Sequence, residues 1–485
     1  MGGEAARQVV RDPGVEGAIA AAQQVDHPGH ACKLAVAVSP RHFGPAVTSS
    51  SLDRRRVLAW CLFDWANSPY TTLVVTFVYS AYFAQAFAPD VITGTAWWSR
   101  AVSVAGLCVA LVAPALGALA DRRGLRLRFL AVATTTCAVA TAALAFVAPG
   151  VPHAALLALG LFVVADIGFE LGMQFYNALL PTVAPAARLG RVSGYGWALG
   201  YAGGLVALIV ALVGFVQPQT PWFGIPRAGG ANIRATCLLV AVWLGVFALP
   251  MFLTLREARR PGASLDVRGA FRELVTTFRA VRRYRDAALF LLARLLFNDG
   301  LITVFAFGGI YAAGTFGMTL GDVIKFGIGI NVAAGAGAFL FGFVDDRIGG
   351  RRTVLVSCAA LAAATALAVW APTRTWFWVA GMLIGVFAGP NQAASRSLMA
   401  RFAPPGRENE FFGFFAFSGR LTAFAGPALL GVATQAFGSQ RAGVATILLF
   451  LLVGGGLLLL VDEDRGRLAA ASASPPPITP ASPPG

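Results

Sequence analysis

Asp166, Glu170, Gln174 and Asn177 fall at i, i+4, i+8 and i+11 within one apolar run, residues 153–180. On a helix that spacing gathers them into a single stripe. Two carboxylic acids one turn apart in a hydrophobic segment oppose each other's ionisation, which suits one of them to taking up and releasing a proton. Histidine is not available for that work, since the one nearest the stripe, His153, stands at the very start of the run. At a rise of 1.5 Å per residue, Asp166 lies about 20 Å along the run, near its middle.

Other apolar runs carry polar groups in the same way. Asp64 and Asn67 sit in residues 57–87, with Pro69 placed to kink the helix. Arg294, Asn298 and Asp299 sit in 287–314; Asn391, Gln392, Ser395 and Arg396 in 376–399; Arg420 in 411–437. Charge in such segments is costly and marks paths for ions or solutes. Arg294 and Asp299 are five apart on diverging faces, so they pair with each other only in part. Arg396 lies near one end of its run, where it either snorkels to the interface or faces the interior. The chemistry these residues point to is binding and proton exchange rather than bond making. No Gly-Lys-Ser/Thr phosphate loop, no nucleophile motif and no C-x-x-C pair occurs, and the six cysteines are scattered. No enzyme, cofactor or metal is expected; His27, His30 and Cys32 lie close together but lack further ligands.

Positioning those groups requires lipid as solvent. The chain has 485 residues, 57% hydrophobic and 13% charged, where a soluble domain carries about a quarter charged. Twelve runs are long enough to cross a bilayer: 57–87, 97–119, 129–148, 153–180, 193–216, 233–255, 287–314, 323–343, 353–371, 376–399, 411–437 and 442–461. The reading is an all-α membrane protein of two six-helix bundles, residues 53–255 and 287–462. A basic linker, 256–286, joins them, with Phe271–Tyr284 an amphipathic surface helix. Residues 1–52 and 463–485 read as disordered tails, and no cleaved leader follows Met1.

A repeat supports the two halves. Gly117, Asp121, Arg122, Gly124 and Arg126 return as Gly342, Asp346, Arg347, Gly349 and Arg351, each 225 positions later. Gly117 and Gly342 allow close helix approach, and Gly124 and Gly349 allow the positive φ of a tight turn. Asp121 and Asp346 are placed to meet arginines or helix N-termini across the halves when that end is shut. Connectors after even-numbered spans carry twenty arginines and those after odd-numbered spans three, which puts both termini in the cytoplasm. The net charge of +15 is thus an orientation signal rather than a nucleic-acid face.

The twice-occurring G-x-x-x-D-R-x-G-x-R resembles the signature loop of the major facilitator superfamily. Asp64–Ser68, Phe175–Pro181 (with Tyr176), Arg191–Gly200, Gly389–Ser397 and Pro404–Glu408 followed by Gly413 are similar to its vacuole-effluxer-like branch, over about residues 54–462. Fungal members of that branch are linked to amino-acid release from vacuoles during autophagy. The resemblance implies a monomeric secondary transporter of the cell membrane, moving a small polar solute by alternating access. Export driven by a proton gradient is the leading expectation. An uncoupled facilitator and a non-transporting receptor of the same fold are the alternatives.

Overall fold

The computed structural model describes residues 53–257 and 283–473, and these are helical almost throughout. The tail expected over 1–52, the clustered His27, His30 and Cys32, and most of the expected surface helix lie outside the described residues.

Helix α1 begins at Arg54–Pro69, where the Asp53 carboxylate caps the amides of Arg55 and Arg56. At Pro69 the regular ladder loses a donor, and the chain continues as a wider π-helical stretch, Tyr70–Phe77, before Tyr79–Ala86. There follow α2 (Val91–Arg123), α3 (Arg126–Leu144), α4 (Ala154–Ala178), α5 (Leu189–Ala211) and α6 (Ala231–Thr254). The second half runs through α7 (Arg285–Phe316), α8 (Leu320–Ile348), α9 (Gly350–Trp370) and α10 (Arg374–Phe402). Then come α11 (Glu408–Arg420, resumed at Ala425–Phe437) and α12 (Gln440–Leu458).

Ten of these spans pass as membrane-crossing on length and apolarity alone. The two that do not, α1 and α10, hold Asp64, Asn67, Asn391, Gln392, Ser395 and Arg396, whose polarity dilutes the signal. The twelve spans form the two pseudo-symmetric six-helix bundles read from the sequence.

Between the halves, α2 packs along α11 and α5 along α8, while α3 with α6 and α9 with α12 pack within their own halves. Bare backbone makes the cross-half packing possible. A Cβ on Gly413 would lie 2.6 Å from Pro114 Cα, and one on Gly194 would lie 2.4 Å from the Ala338 carbonyl. In lipid, where apolar burial gives helices little reason to associate, such close approach supplies the attraction.

One expected tail is ordered at its start. Glu463–Ala471 forms a helix, α13, capped by Asp462, anchored by Arg465 on Asp286 at 2.6 Å, and seated with Gly466 against Phe402. The Ser/Pro-rich composition that suggested disorder begins only beyond it.

Candidate functional site

The repeated hairpins build matching closures at one end of the molecule. Gly124 ends α2 at φ 61°, and Gly349 ends α8 at φ 91°, as the turn demands. Helix α11 has no side-chain cap from its own flank, nor has α5. Each takes one from the opposite half. Asp121 accepts from Asn409 Nδ2 at 2.7 Å and from the Glu410 amide at 2.9 Å. Asp346 accepts from the Gly190 amide at 2.8 Å, the Arg191 amide at 3.3 Å and Arg191 Nε at 2.6 Å. A carboxylate at a helix N-terminus satisfies orphan donors and complements the dipole. The glycines let it reach: a Cβ on Gly117 would meet the Asn409 carbonyl at 2.2 Å, and one on Gly342 would meet Arg191 Cα at 2.8 Å. Arg126 adds an ion pair to Glu408 across the halves while also lying 3.0 Å from Asp121. Arg347 is exposed, outside these contacts. Arg122 is exposed as well.

Above this closed, arginine-rich end lies a cavity of about 960 Å³ between the halves. Its lining comes from α1, α4, α5, α7, α8, α10 and α11, with none from α3, α6, α9 or α12. It reaches Phe77 and Gln85 on α1 and Val323 and Ile324 on α8, at the ends of those helices remote from the hairpins. The cavity therefore faces the opposite side of the membrane.

Most of the polar residues singled out in the sequence meet here. Asp64, Asn67, Glu170, Gln174, Asn177, Arg294, Asn298, Asn391, Gln392, Ser395, Arg396 and Arg420 all line the cavity. Its floor is a cross-half ion pair: Arg396 Nη1 to Asp64 Oδ2 at 2.9 Å. Arg396 also donates to Asn177 Oδ1, Ser193 Oγ and the Ser193 carbonyl, and lies 4.7 Å from the Trp60 ring centre. At 1% exposure it does not snorkel. Counting along its own helix suggested a route to the interface, but the route is blocked by α1 and α5 of the other half. A second cross-half pair joins Glu170 to Arg420. Gln174 donates to the carbonyls of Ala113 and Asn409, and Gln392 accepts from Tyr201, so these amides also tie the halves.

Three expected pathway residues lie behind the wall. Tyr176 is fully buried and donates to Asp64 at 2.8 Å while stacking on Trp60, so it positions the acid. Asp166 is 3% exposed and sits beside Tyr70, whose ring stacks on Phe169 and covers that turn of α4. The stripe therefore opens to the cavity only from Glu170 onward. Asp299 is turned to α11, where it accepts from the Gly426 amide at 3.0 Å. Arg294 does not pair with it but donates to the Phe415 carbonyl and Ser418 Oγ. Asn391 bonds Ser357 on α9.

The partners are not legible in the sequence: Ser193 for Arg396, Arg191 for Asp346, Asn409 and Glu410 for Asp121, and Arg401, which pairs with buried Asp345 at 2.7 Å. Arg191, Ser193, Gly413 and Glu408 stood within quoted motifs, but nothing in a single chain says which half's acid they meet.

Two six-helix halves, closed at one end by mutual helix capping and enclosing a polar cavity open at the other, define a transporter of the major facilitator class. The chain matches the model of the vacuole effluxer Atg22-like family over residues 90–471 and belongs to that family. It is 28% identical over 398 residues to the uncharacterized MFS-type transporter YxiO of Bacillus subtilis (strain 168), covering 81% of this chain and 91% of that protein. Autophagy-related protein 22-1 of Penicillium rubens is 25% identical over 278 residues, 52% of this chain and 45% of the fungal protein. Among solved structures, the proton:xylose symporter XylE aligns over 86% of this chain and 97% of its own, with TM-score 0.66 and 13% identity. That likeness concerns the fold alone. The protein is a multi-pass integral membrane transporter.

Proposed function

We propose that the protein exports a small polar solute, an amino acid or a related metabolite, from the cytoplasm across the cell membrane by alternating access driven by protons. The distribution of basic residues supports a cytoplasmic position for the arginine-rich end and both termini, and the working unit in this reading is one chain. The observation that carries this reading is the asymmetry of the cavity. It is sealed at one end by contacts that join the halves and open at the other, as one of two alternating states should be. The family's name supports export.

Coupling is assigned to Glu170. It faces the cavity on the first half and holds Arg420 of the second. A proton arriving from the open side neutralises the carboxylate, and the charge that tethers Arg420 is lost. The halves are then free to rock, open the arginine-rich end and admit solute, with proton release on the cytoplasmic side resetting the pair. Asp166 is not reached from the cavity, so its part in this cycle is to set the field around Arg420.

The test is transport by purified protein in proteoliposomes, using labelled amino acids and related acids with a pH gradient imposed and then collapsed by a protonophore. Gradient-driven accumulation is expected, and Glu170→Gln should lose it while still exchanging solute down its own gradient. Wild-type transport indifferent to the protonophore would assign the buried acids to structure alone, in an uncoupled facilitator.

A further inference from the structure

The charges of the cavity wall do not cancel. Among the described residues five charged side chains line it: Asp64, Glu170, Arg294, Arg396 and Arg420. Asp64 is bound to Arg396 and Glu170 to Arg420. Arg294 has no acid partner among the described residues. Asp299, on the same helix, does not line the cavity: it is turned to α11, where one oxygen accepts from the Gly426 amide and the other has no partner among the described residues. Asp166 also lies out of the cavity, beside Tyr70 and near Arg420.

Arg294 is also held ready. Its Nη1 donates to the Phe415 carbonyl at 2.8 Å and to Ser418 Oγ at 3.1 Å, and its guanidinium carbon lies 3.6 Å from the Phe415 ring centre. The other edge, Nε and Nη2, carries no hydrogen bond to the described residues. Gly419 makes room for the group: a Cβ there would stand 2.8 Å from Nη1 and 3.1 Å from Nη2. A planar fork fixed on one edge and bare on the other is suited to a carboxylate, which takes two parallel N–H bonds. Ile302, Ile328 and Phe412 give the same cavity apolar wall.

We propose that the transported solute is an organic carboxylate with an apolar body and no ammonium group, bound through Arg294. This rests on the transporter reading above and narrows it, within amino acids and related metabolites, to the members lacking the amine. Among the described residues the wall offers one uncommitted cation and no uncommitted acid. A zwitterion's ammonium would have to displace an arginine from Asp64 or Glu170, both of which tie the halves together.

Three probes of one shape separate the possibilities: 2-hydroxyisocaproate (anion), its amide (neutral) and leucine (zwitterion). Binding is read as thermal stabilisation of the purified full chain, and flux is read in proteoliposomes. The hydroxy acid should bind at least about tenfold more tightly than either of the others, the size of one charge-assisted contact. Arg294→Gln should erase that preference and Arg294→Lys should keep part of it. Gly419→Ala, which crowds the guanidinium without removing it, should weaken the hydroxy acid selectively and serves if the glutamine variant does not fold. Leucine or the amide binding as well as the hydroxy acid overturns the proposal, as does an undiminished preference in Arg294→Gln. If the hydroxy acid binds through Arg294 yet no flux is seen, the anion site stands and the transporter reading fails. If vesicles move leucine or the amide as readily, transport stands and the anion site fails.

Discussion

Asp121→Asn removes a charge from the closed end while keeping the side chain's size. Oδ1 of Asp121 receives Asn409 Nδ2 at 2.7 Å and lies 3.0 Å from Arg126, and Oδ2 receives the Glu410 amide at 2.9 Å. Asparagine keeps one oxygen but turns an NH2 towards a donor, so one charge-assisted bond is lost and the rest weaken. Hydrogen bonds to charged groups contribute about 1.5–3 kcal/mol each. Glu408 shares Arg126 with Asp121, so neutralising the aspartate also relieves like-charge repulsion. The lower part of the range therefore applies, about 2 kcal/mol, which is roughly a 30-fold shift in an equilibrium. Because Asn409 and Glu410 belong to the other half, the whole loss falls on the closed form. Spin labels at Ala187 and Ile348, exposed positions beside the other closure, report the change at a distance. The ratio of open to closed populations should rise by roughly that factor, turnover should fall, and solute affinity should stay within a few-fold, since the cavity wall is untouched. An unchanged distance distribution, or a selective loss of affinity at normal maximal rate, would show that Asp121 does not hold the closed end.

Gly413→Leu should wedge α11 away from α2, because its Cβ would fall on the backbone of Pro114, and backbone cannot step aside. The same label pair should then show the arginine-rich end held open, with transport abolished. Arg396→Gln leaves Asp64 buried without its partner, a loss of about 3–5 kcal/mol by analogy with other broken buried pairs. Thermal unfolding should show it, and the double variant Asp64→Asn/Arg396→Gln should recover part of the loss; no recovery argues against the pair. Asp299→Asn keeps an acceptor for the Gly426 amide, so transport within a few-fold of wild type is expected, and lost accumulation would move the coupling site to Asp299.

The architecture was legible because it is written twice. The offset of 225 between Asp121 and Asp346 fixes two halves, and the polar residues concentrated in every third span mark the helices that face inward. Helical spacing also put Glu170, Gln174 and Asn177 on one stripe, and all three line the cavity. It failed at Asp166, since periodicity gives the direction of a side chain and not what covers it, here Tyr70 beside Phe169. Arg396 was ambiguous for a related reason. Distance along a helix measures depth in the bilayer, whereas the fate of that guanidinium is decided by Asp64 and Ser193, hundreds of residues away in sequence. The caps of α5 and α11 were only half visible. Asp121 and Asp346 advertised themselves as acids at helix ends, but the helices they cap show only the absence of a cap of their own.

In alternating access a single cavity is offered in turn to the two sides of the membrane. Asn331 lines that cavity and, among the described residues, bonds only within its own helix, to the Gly327 carbonyl, so cysteine at 331 in a cysteine-free background is a mild probe. An impermeant thiol reagent applied separately to each face of oriented vesicles should modify it from both, faster from the arginine-rich face once Asp121 is replaced by asparagine. Modification from one face only, with solute present or absent and in the Asp121→Asn background alike, would mean that the cavity never changes sides.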